Sequence, residues 1–183
     1  MRFSSFWIYP FASLLLIYLG QSREPERSVA DYVILIPFGI FLWTLIEYGL
    51  HRFFFHWKPQ SRGLANFVSG FHLVHHGQPR DPTCILARAR TTLPLSAIVL
   101  GLTYGATGST TTTTGLLMGV WAGFLYYEWV HYRVHTSRST LGLSGHRSRH
   151  FRHHFVDETK CFGVTSPMWD FVFGTYLKAE SRE

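Results

Sequence analysis

Hydrophobic residues are concentrated in four long segments of this chain, and polar residues lie between them. The segments cover about residues 3–20, 32–50, 92–107 and 115–130. Each has roughly 16–20 residues, close to the length that a helix needs to cross about 30 Å of hydrocarbon. They largely lack the polar face that a helix of a soluble bundle presents to water. The pattern therefore predicts four transmembrane helices, with a soluble bundle of four core helices as the alternative.

Positive charges are distributed unequally among the connecting segments. Residues 51–90 carry six Lys or Arg against one acid, Asp81, and the tail from residue 131 is also basic. The segment 21–28 balances its charges, whereas the threonine-rich run 108–115 has none and is interpreted as a connector without chemistry. The positive-inside rule therefore predicts that both termini are cytoplasmic. The first segment has an alternative interpretation as a signal peptide, although no convincing cleavage site precedes Gln21.

The net charge and the two cysteines narrow the class of protein further. The formal charge is +6, and the basic residues adjoin apolar segments, so anionic lipid is a better partner than nucleic acid. Cys84 and Cys161 form no CxxC pair. Both fall on the predicted cytoplasmic side, where thiols stay reduced.

The 11 histidines all lie in four clusters beside the apolar segments. The clusters are His51 and His56; His72, His75 and His76; His131 and His135; and His146, His150, His153 and His154. Neutral imidazole is a common ligand for iron, copper and zinc, and one ion rarely takes more than four protein ligands plus solvent. Ten or eleven imidazoles on one face of the membrane therefore predict a site for two metal ions.

The spacing within the first and third clusters gives different expectations. On an α-helix, His51 and His56 lie about 140° apart, so they could serve two different metals, or the helix could end between them. The remaining alternative is that the two histidines only cap the C-terminus of the helix. His131 and His135 lie four residues apart on one helical face and can chelate a single ion. No HExxH sequence occurs, which argues against a zincin protease.

The second cluster is predicted to close an amphipathic helix that lies on the membrane. Its apolar stripe consists of Leu64, Phe67, Val68 and Phe71, and His72, His75 and His76 continue the same stripe. The adjacent residues His75 and His76 point about 100° apart, which suits two neighbouring metals.

In the last cluster, the histidines share one broad face and arginines occupy the others. The alternative is a basic amphipathic helix on anionic lipid in which the histidines have no role. His146 begins this last cluster.

Glu47 and Glu128 each precede a histidine by about one turn. The two carboxylates either orient a ligand imidazole or form structural hydrogen bonds between helices.

The order HX4H, HX2HH, HX3H, HX2HH resembles the fatty acid hydroxylase superfamily, which includes fatty acid 2-hydroxylases, sterol C4-methyl oxidases and sterol C5-desaturases. The ten histidines of this pattern are His51, His56, His72, His75, His76, His131, His135, His150, His153 and His154. The resemblance includes Y-Y-E-W-V-H-Y-R-V-H and the tail Cys161–Thr175, which is similar to G-x-T-S-P-x-W-D-x-x-F-G-T. It covers about residues 40–176 and leaves His146 outside the pattern.

The resemblance implies an all-α integral membrane bundle of four transmembrane helices with a cytoplasmic helical cap that carries the histidines, in a single domain over residues 1–183. It implies that the ten pattern histidines hold two iron ions, for which zinc can substitute in isolated protein. It also implies O2-dependent oxidation of a lipid.

The spacing of the last two boxes and the compact layout look more like the fatty acid 2-hydroxylase branch. A fatty acyl chain hydroxylated near its carboxyl end is therefore the expected product. A desaturase or a carotenoid or sterol hydroxylase is the alternative, and outside this class a non-catalytic membrane protein that binds metal. Many members of that branch carry a fused cytochrome b5 domain, for which 183 residues leave no room. We therefore expect a separate electron donor, such as a ferredoxin, a cytochrome or a reductase.

Overall fold

All secondary structure in the described part of the chain is helical. The computed structural model describes residues 4–26, 28, 30–70, 72–139 and 142–178, and no strand occurs among them. The helices within these residues are α1 (Ser5–Arg23), α2 (Asp31–Gly49), the π-helix π1 (Leu50–Phe55), α3 (Arg62–Ser69), α4 (Leu73–Gly77), α5 (Pro82–Ile85), α6 (Ala89–Thr107), α7 (Thr110–Thr136), α8 (Ser144–Phe155) and α9 (Met168–Val172). The expected all-α class is confirmed.

The chain forms two compact units. The first contains the residues up to Trp43 together with Ala87–Tyr126, and therefore α1, α6 and most of α2 and α7. The second contains Thr44–Leu86 and the residues from Tyr127 onward. All 11 histidines belong to the second unit.

Closely packed glycines join α2 and α7 within the first unit. The glycines of α7 are spaced four apart, at Gly115, Gly119 and Gly123. A Cβ atom added to Gly119 would lie 2.2 Å from the carbonyl oxygen of Ile36, and one added to Gly39 would lie 2.3 Å from that of Leu116. The two backbones therefore approach more closely than side chains would permit, which is the small-residue packing common between membrane helices.

The threonine-rich run is part of a helix, so its interpretation as a connector is wrong. Helix α6 ends at Thr107, its capping residue Gly108 has a left-handed φ of 63°, and α7 begins at Thr110. The Glu24 carboxylate accepts hydrogen bonds from Ser109 Oγ at 2.8 Å and from the backbone N–H groups of Thr110 and Thr111. These N–H groups begin a helix and have no partner within it, so a carboxylate at this end stabilises α7.

Two helical stretches among the described residues are long and apolar enough to cross a membrane, judged by length and composition. They are Asp31–Phe55 and Pro82–Thr107. Helices α1 and α7 occupy the other two apolar segments that the hydrophobic pattern singled out.

Candidate metal centre

A π-helical turn places the first two histidines together. Helix α2 continues into π1 at Leu50, and π1 ends at Phe55, directly before His56. In a π-helix the backbone hydrogen bonds join residues five apart, so His51 and His56 come to lie on one face. The ring centroids of His51 and His56 are 5.2 Å apart. Of the arrangements that their spacing left open, the structure shows the one in which the helix ends between them, at Phe55.

The predicted amphipathic helix is two helices. Helix α3 ends at Ser69 with Gly70 as its cap, and His72 precedes the first turn of α4. Leu64 and Phe67 are exposed, whereas Val68 is buried; Phe71 lies outside the described residues. His75 and His76 therefore lie on a different helix from Leu64 and Phe67.

The remaining histidines project from two longer helices. His131 and His135 lie on the last turns of α7, one turn apart, as their spacing predicts. His150, His153 and His154 lie on α8. His150 and His153 have exposed fractions of 1% and 0%. Such burial argues against the alternative in which this helix is only a basic surface helix.

The ten pattern histidines converge into two groups of five. The His51 group consists of His51, His56, His72, His76 and His153, and the His75 group consists of His75, His131, His135, His150 and His154. Each residue offers one ligand atom, and within each group these atoms lie within 4.8 Å of one another. His75 and His76 enter different groups, as their adjacent positions suggested. His146 belongs to neither.

The distances between ring nitrogens fit a metal ion at the centre of each group. In the His51 group, the Nε2 atom of His72 lies 2.9 Å from that of His51 and 3.0 Å from that of His76. In the His75 group, the Nε2 atom of His135 lies 3.0 Å from that of His75 and 2.7 Å from that of His150.

Such pairs match the separation of two ligands on one ion. An ion bound at roughly 2.1 Å by two imidazoles at right angles places their nitrogens about 3 Å apart, whereas a tetrahedral angle places them about 3.4 Å apart. The Nε2 pairs of both groups therefore have about the separation that two imidazoles bound to one ion would have.

Two rings of the His51 group have a fixed tautomer. His51 Nδ1 lies 2.6 Å from the carbonyl oxygen of Phe162, and His153 Nδ1 lies 2.7 Å from that of Lys160. A carbonyl accepts only, so each Nδ1 must carry the proton, and each Nε2 presents a lone pair to the centre of the group. This is the arrangement in which a histidine binds a metal through one nitrogen and is held through the other.

Burial keeps the imidazoles neutral, as ligands must be. It lowers the pKa of His56, His76, His135 and His153 from the ordinary 6.5 to about 4, and that of His75 to about 3. Repulsion from neighbouring imidazolium groups acts in the same direction. At pH 7 these nitrogens therefore carry lone pairs, and protons compete little with a metal ion.

The two glutamates and His146 belong to neither group. Glu47 is buried and accepts hydrogen bonds from the backbone N–H groups of Val164, at 2.6 Å, and Thr165, at 2.9 Å. His146 Nε2 lies 3.1 Å from the carbonyl oxygen of Thr165. Glu128 is buried with an exposed fraction of 2%. Glu47 and His146 thus both contact the segment that follows α8.

That segment contains functional groups that the sequence pattern did not identify. They are the carbonyl groups of Lys160 and Phe162 and the buried carboxylate of Asp170. The histidine pattern that predicts a metal site includes none of them. The signal for this segment in the sequence is the G-x-T-S-P-x-W-D-x-x-F-G-T tail, which includes Asp170.

Residues 36–175 match the family model described as fatty acid hydroxylase, so this chain belongs to the fatty acid hydroxylase family. It is 32% identical to the dihydroceramide fatty acyl 2-hydroxylase FAH1 of Arabidopsis thaliana, over 97% of this chain and 76% of that protein. It is 31% identical to the ceramide very long chain fatty acid hydroxylase SCS7 of Saccharomyces cerevisiae, over 95% of this chain and 46% of that protein. It is 32% identical to the fatty acid 2-hydroxylase of Homo sapiens, over 85% of this chain and 45% of that protein.

The fold is similar to a solved structure of full-length Scs7p in which only the hydroxylase domain is visible. The TM-score is 0.82 at 31% sequence identity, and the match covers 96% of this chain and 67% of that chain. In the sequence comparisons, this chain spans about half the length of the yeast and human relatives. The expected resemblance to the fatty acid hydroxylases is confirmed.

Proposed function

We propose that this protein is a membrane oxygenase that uses two iron ions and O2 to hydroxylate a fatty acyl chain near its carboxyl end. The observation that carries the proposal is the pair of buried five-histidine groups in a chain of the fatty acid hydroxylase family. The His51 group holds one ion and the His75 group holds the other. The residues proposed to orient the ligand imidazoles from outside the two groups are Glu47, Glu128 and His146.

The overall reaction converts a C–H bond into a C–OH bond. One oxygen atom of O2 enters the product, and the other leaves as water with two electrons and two protons from an external donor. When bound, iron supplies the activation of O2 that an unactivated C–H bond requires. The chain contributes neutral imidazoles in fixed orientations and a buried surrounding that limits access of water.

Two observations favour an acyl chain attacked near its head. The plant and human relatives are named as 2-hydroxylases, acting on dihydroceramide fatty acyl chains and on fatty acids. The helix α8 that carries His150 also carries Arg147, Arg149 and Arg152, which suit an anionic or polar head group. A head group held beside these arginines would bring the carbons closest to it, rather than the terminal methyl group, to the metal centre.

We further propose that α1, α2, α6 and α7 cross the membrane and that the termini and both histidine groups are cytoplasmic. Three features support this topology. Two helical stretches are long and apolar enough to cross a membrane, and α6 contains no buried residue. Lys and Arg are in excess beside the histidines, as the positive-inside rule requires of a cytoplasmic face. The exposed Leu64 and Phe67 of α3 suit a position at the membrane surface. The proposed electron donor is a separate acidic protein that binds the basic cytoplasmic face.

The deciding experiment is mass spectrometry of lipids after turnover of the iron-loaded, reduced protein under ¹⁸O2. A 2-hydroxylated acyl chain that carries one ¹⁸O atom supports the proposal. A new double bond without label would assign the protein as a desaturase. An unchanged lipid pool with fully loaded protein would favour a non-catalytic metal-binding protein. Zinc in an isolated sample does not argue against native iron, since nitrogen-rich sites bind Zn²⁺ readily.

A further inference from the structure

The backbone after α8 holds two ligands of one histidine group and none of the other. The carbonyl groups of Lys160 and Phe162 accept the Nδ1 protons of His153 and His51, and both rings belong to the His51 group. In the His75 group, by contrast, the buried Nδ1 atoms of four rings have no hydrogen-bond partner among the described residues. Those rings are His75, His131, His150 and His154.

The residue between the two carbonyl groups has an unusual conformation. Cys161 has a φ of 55°, the left-handed region that non-glycine residues rarely adopt. Its N–H donates to the carbonyl of Thr175 at 2.8 Å, and its Sγ accepts from the N–H of Leu177 at 3.3 Å. A left-handed conformation of this kind is unfavourable for a residue other than glycine and persists only where the surrounding structure imposes it.

Asp170 supplies that surrounding structure. Its side chain is completely buried and accepts from the N–H of Phe162 at 2.8 Å, the N–H of Gly163 at 2.9 Å and Thr175 Oγ1 at 2.7 Å. Two consecutive peptide groups are thus fixed directly beyond Cys161. Gly163 permits this approach, because a Cβ there would lie 2.0 Å from the carbonyl oxygen of Ser166 and 3.0 Å from Asp170 Oδ2.

We propose that Asp170 is a positioning residue for the metal ion of the His51 group alone, acting through the Lys160–Gly163 turn and the imidazole protons of His51 and His153. The proposal rests on the two-metal site of the proposed function. In the described part of the chain, the side chain of Asp170 accepts hydrogen bonds from Phe162, Gly163 and Thr175 and from no ligand ring. It fixes the two carbonyl groups that select the tautomer of His51 and His153, and the His75 group receives no such support.

The test is the stoichiometry and affinity of metal binding, measured by elemental analysis and by titration of metal-free protein with Co²⁺ followed by its absorption spectrum. Asp170→Asn replaces one acceptor oxygen by an amide N–H₂ that opposes a backbone N–H. We expect one of two ions to bind roughly 10–100-fold more weakly, as for other outer partners of metal ligands, and the other to bind unchanged. The matched control is Asp81→Asn, since Asp81 also accepts from a backbone N–H, that of Thr83 at 2.8 Å, but caps α5 instead. It should retain both ions.

Double variants show which ion is affected. Asp170→Asn combined with His51→Ala should bind as many ions as His51→Ala alone, because both changes act on the same group. Asp170→Asn combined with His131→Ala should bind its one remaining ion roughly 10–100-fold more weakly than His131→Ala alone. Equal weakening of both ions, or binding of both at wild-type affinity, would overturn the proposal.

A second pair of variants covers the case in which Asp170→Asn does not accumulate. Cys161→Gly accepts the left-handed conformation and should keep both ions, whereas Cys161→Val opposes it and should weaken one. Equal binding by these two variants counts against the proposal. If the wild-type protein itself binds fewer than two ions, the two-metal function fails, which is a separate result from a wild-type protein with two ions that Asp170→Asn leaves unaffected.

Discussion

The imidazole rings of His76 and His154 stack with their centroids 4.0 Å apart and their planes inclined by 18°. His76 belongs to the His51 group and His154 to the His75 group, so the two groups meet at this pair. Two ions bound in these groups would be close neighbours, and each ring of the stack restrains the position of the other. Removal of either ring of this stack should therefore affect both sites.

The first prediction concerns this contact. His154→Ala removes a ligand of the His75 group and the ring against which His76 rests. We expect bound metal to fall and hydroxylation to decrease by more than the roughly 10–100-fold typical of outer partners. Elemental analysis and product formation should be measured on the same preparation.

The comparison variant is His146→Ala on the same helix. His146 lies outside both groups and contacts the carbonyl oxygen of Thr165. Its loss should be milder, with most of the metal retained. A His146→Ala protein that loses as much metal as His154→Ala would contradict the assignment of ligands.

The second prediction concerns the packing of α2 and α7. Gly119→Ala places a methyl group 2.2 Å from the carbonyl oxygen of Ile36, so the helices must separate. We expect a loss of about 1–3 kcal/mol in the free energy of unfolding, as for other overpacked sites. A decrease in the thermal midpoint of unfolding in detergent reports this loss of stability. Gly101→Ala on α6 is the control, because a Cβ there meets nothing within 4 Å. An equal decrease in both variants would show that contact with α2 is not the cause.

Part of the spatial arrangement of the histidines follows from their spacing along the chain. The pair His131 and His135 falls in one group, as an i, i+4 pair on an α-helix should, and the adjacent His75 and His76 fall in different groups. Both expectations required only α-helical geometry, which α4 and α7 follow. The helical class followed in the same way from the long apolar segments.

Other parts of the site depend on interactions that side-chain spacing does not encode. His51 and His56 share a group because π1 replaces the α-helical hydrogen-bonding pattern, and the sequence H-R-F-F-F-H carries no sign of this change. The carbonyl of Phe162 holds His51 across 111 positions of the chain. Backbone groups are present at every residue, so their selection by tertiary structure cannot be predicted from residue type.

The third prediction concerns the dependence of stability on pH for the metal-free protein. The pKa of His56, His76, His135 and His153 is about 4 in the folded protein, against an ordinary value of 6.5. Between these values the unfolded chain binds more protons than the folded one, so stability decreases as the pH falls from about 6.5 towards 4. The thermal midpoint should decrease across that window and change little between pH 7 and 8.5 through these groups. A midpoint that stays constant or rises from pH 6.5 to 4.5 would be inconsistent with neutral, buried imidazoles.

The fourth prediction concerns the proposed topology and uses an impermeant thiol reagent on intact cells. Cys161 is buried, with an exposed fraction of 1%, so it reports nothing about sidedness, whereas Cys84 is half-buried. In a Cys161→Ser background, Cys84 should react only after the membrane is permeabilised, because its segment carries the excess of Lys and Arg.

The matched position lies in the connection between α1 and α2. Glu26 is exposed there, and this connection is the proposed outer loop. A Glu26→Cys substitution in a background without Cys84 should therefore react in intact cells, at a rate that permeabilisation does not raise. Rapid labelling of Cys84 from outside, together with protection at position 26, would reverse the orientation and place both histidine groups on the outer face. An electron donor in the cytoplasm could then not reach the metal centre, so this measurement also tests the proposed source of electrons.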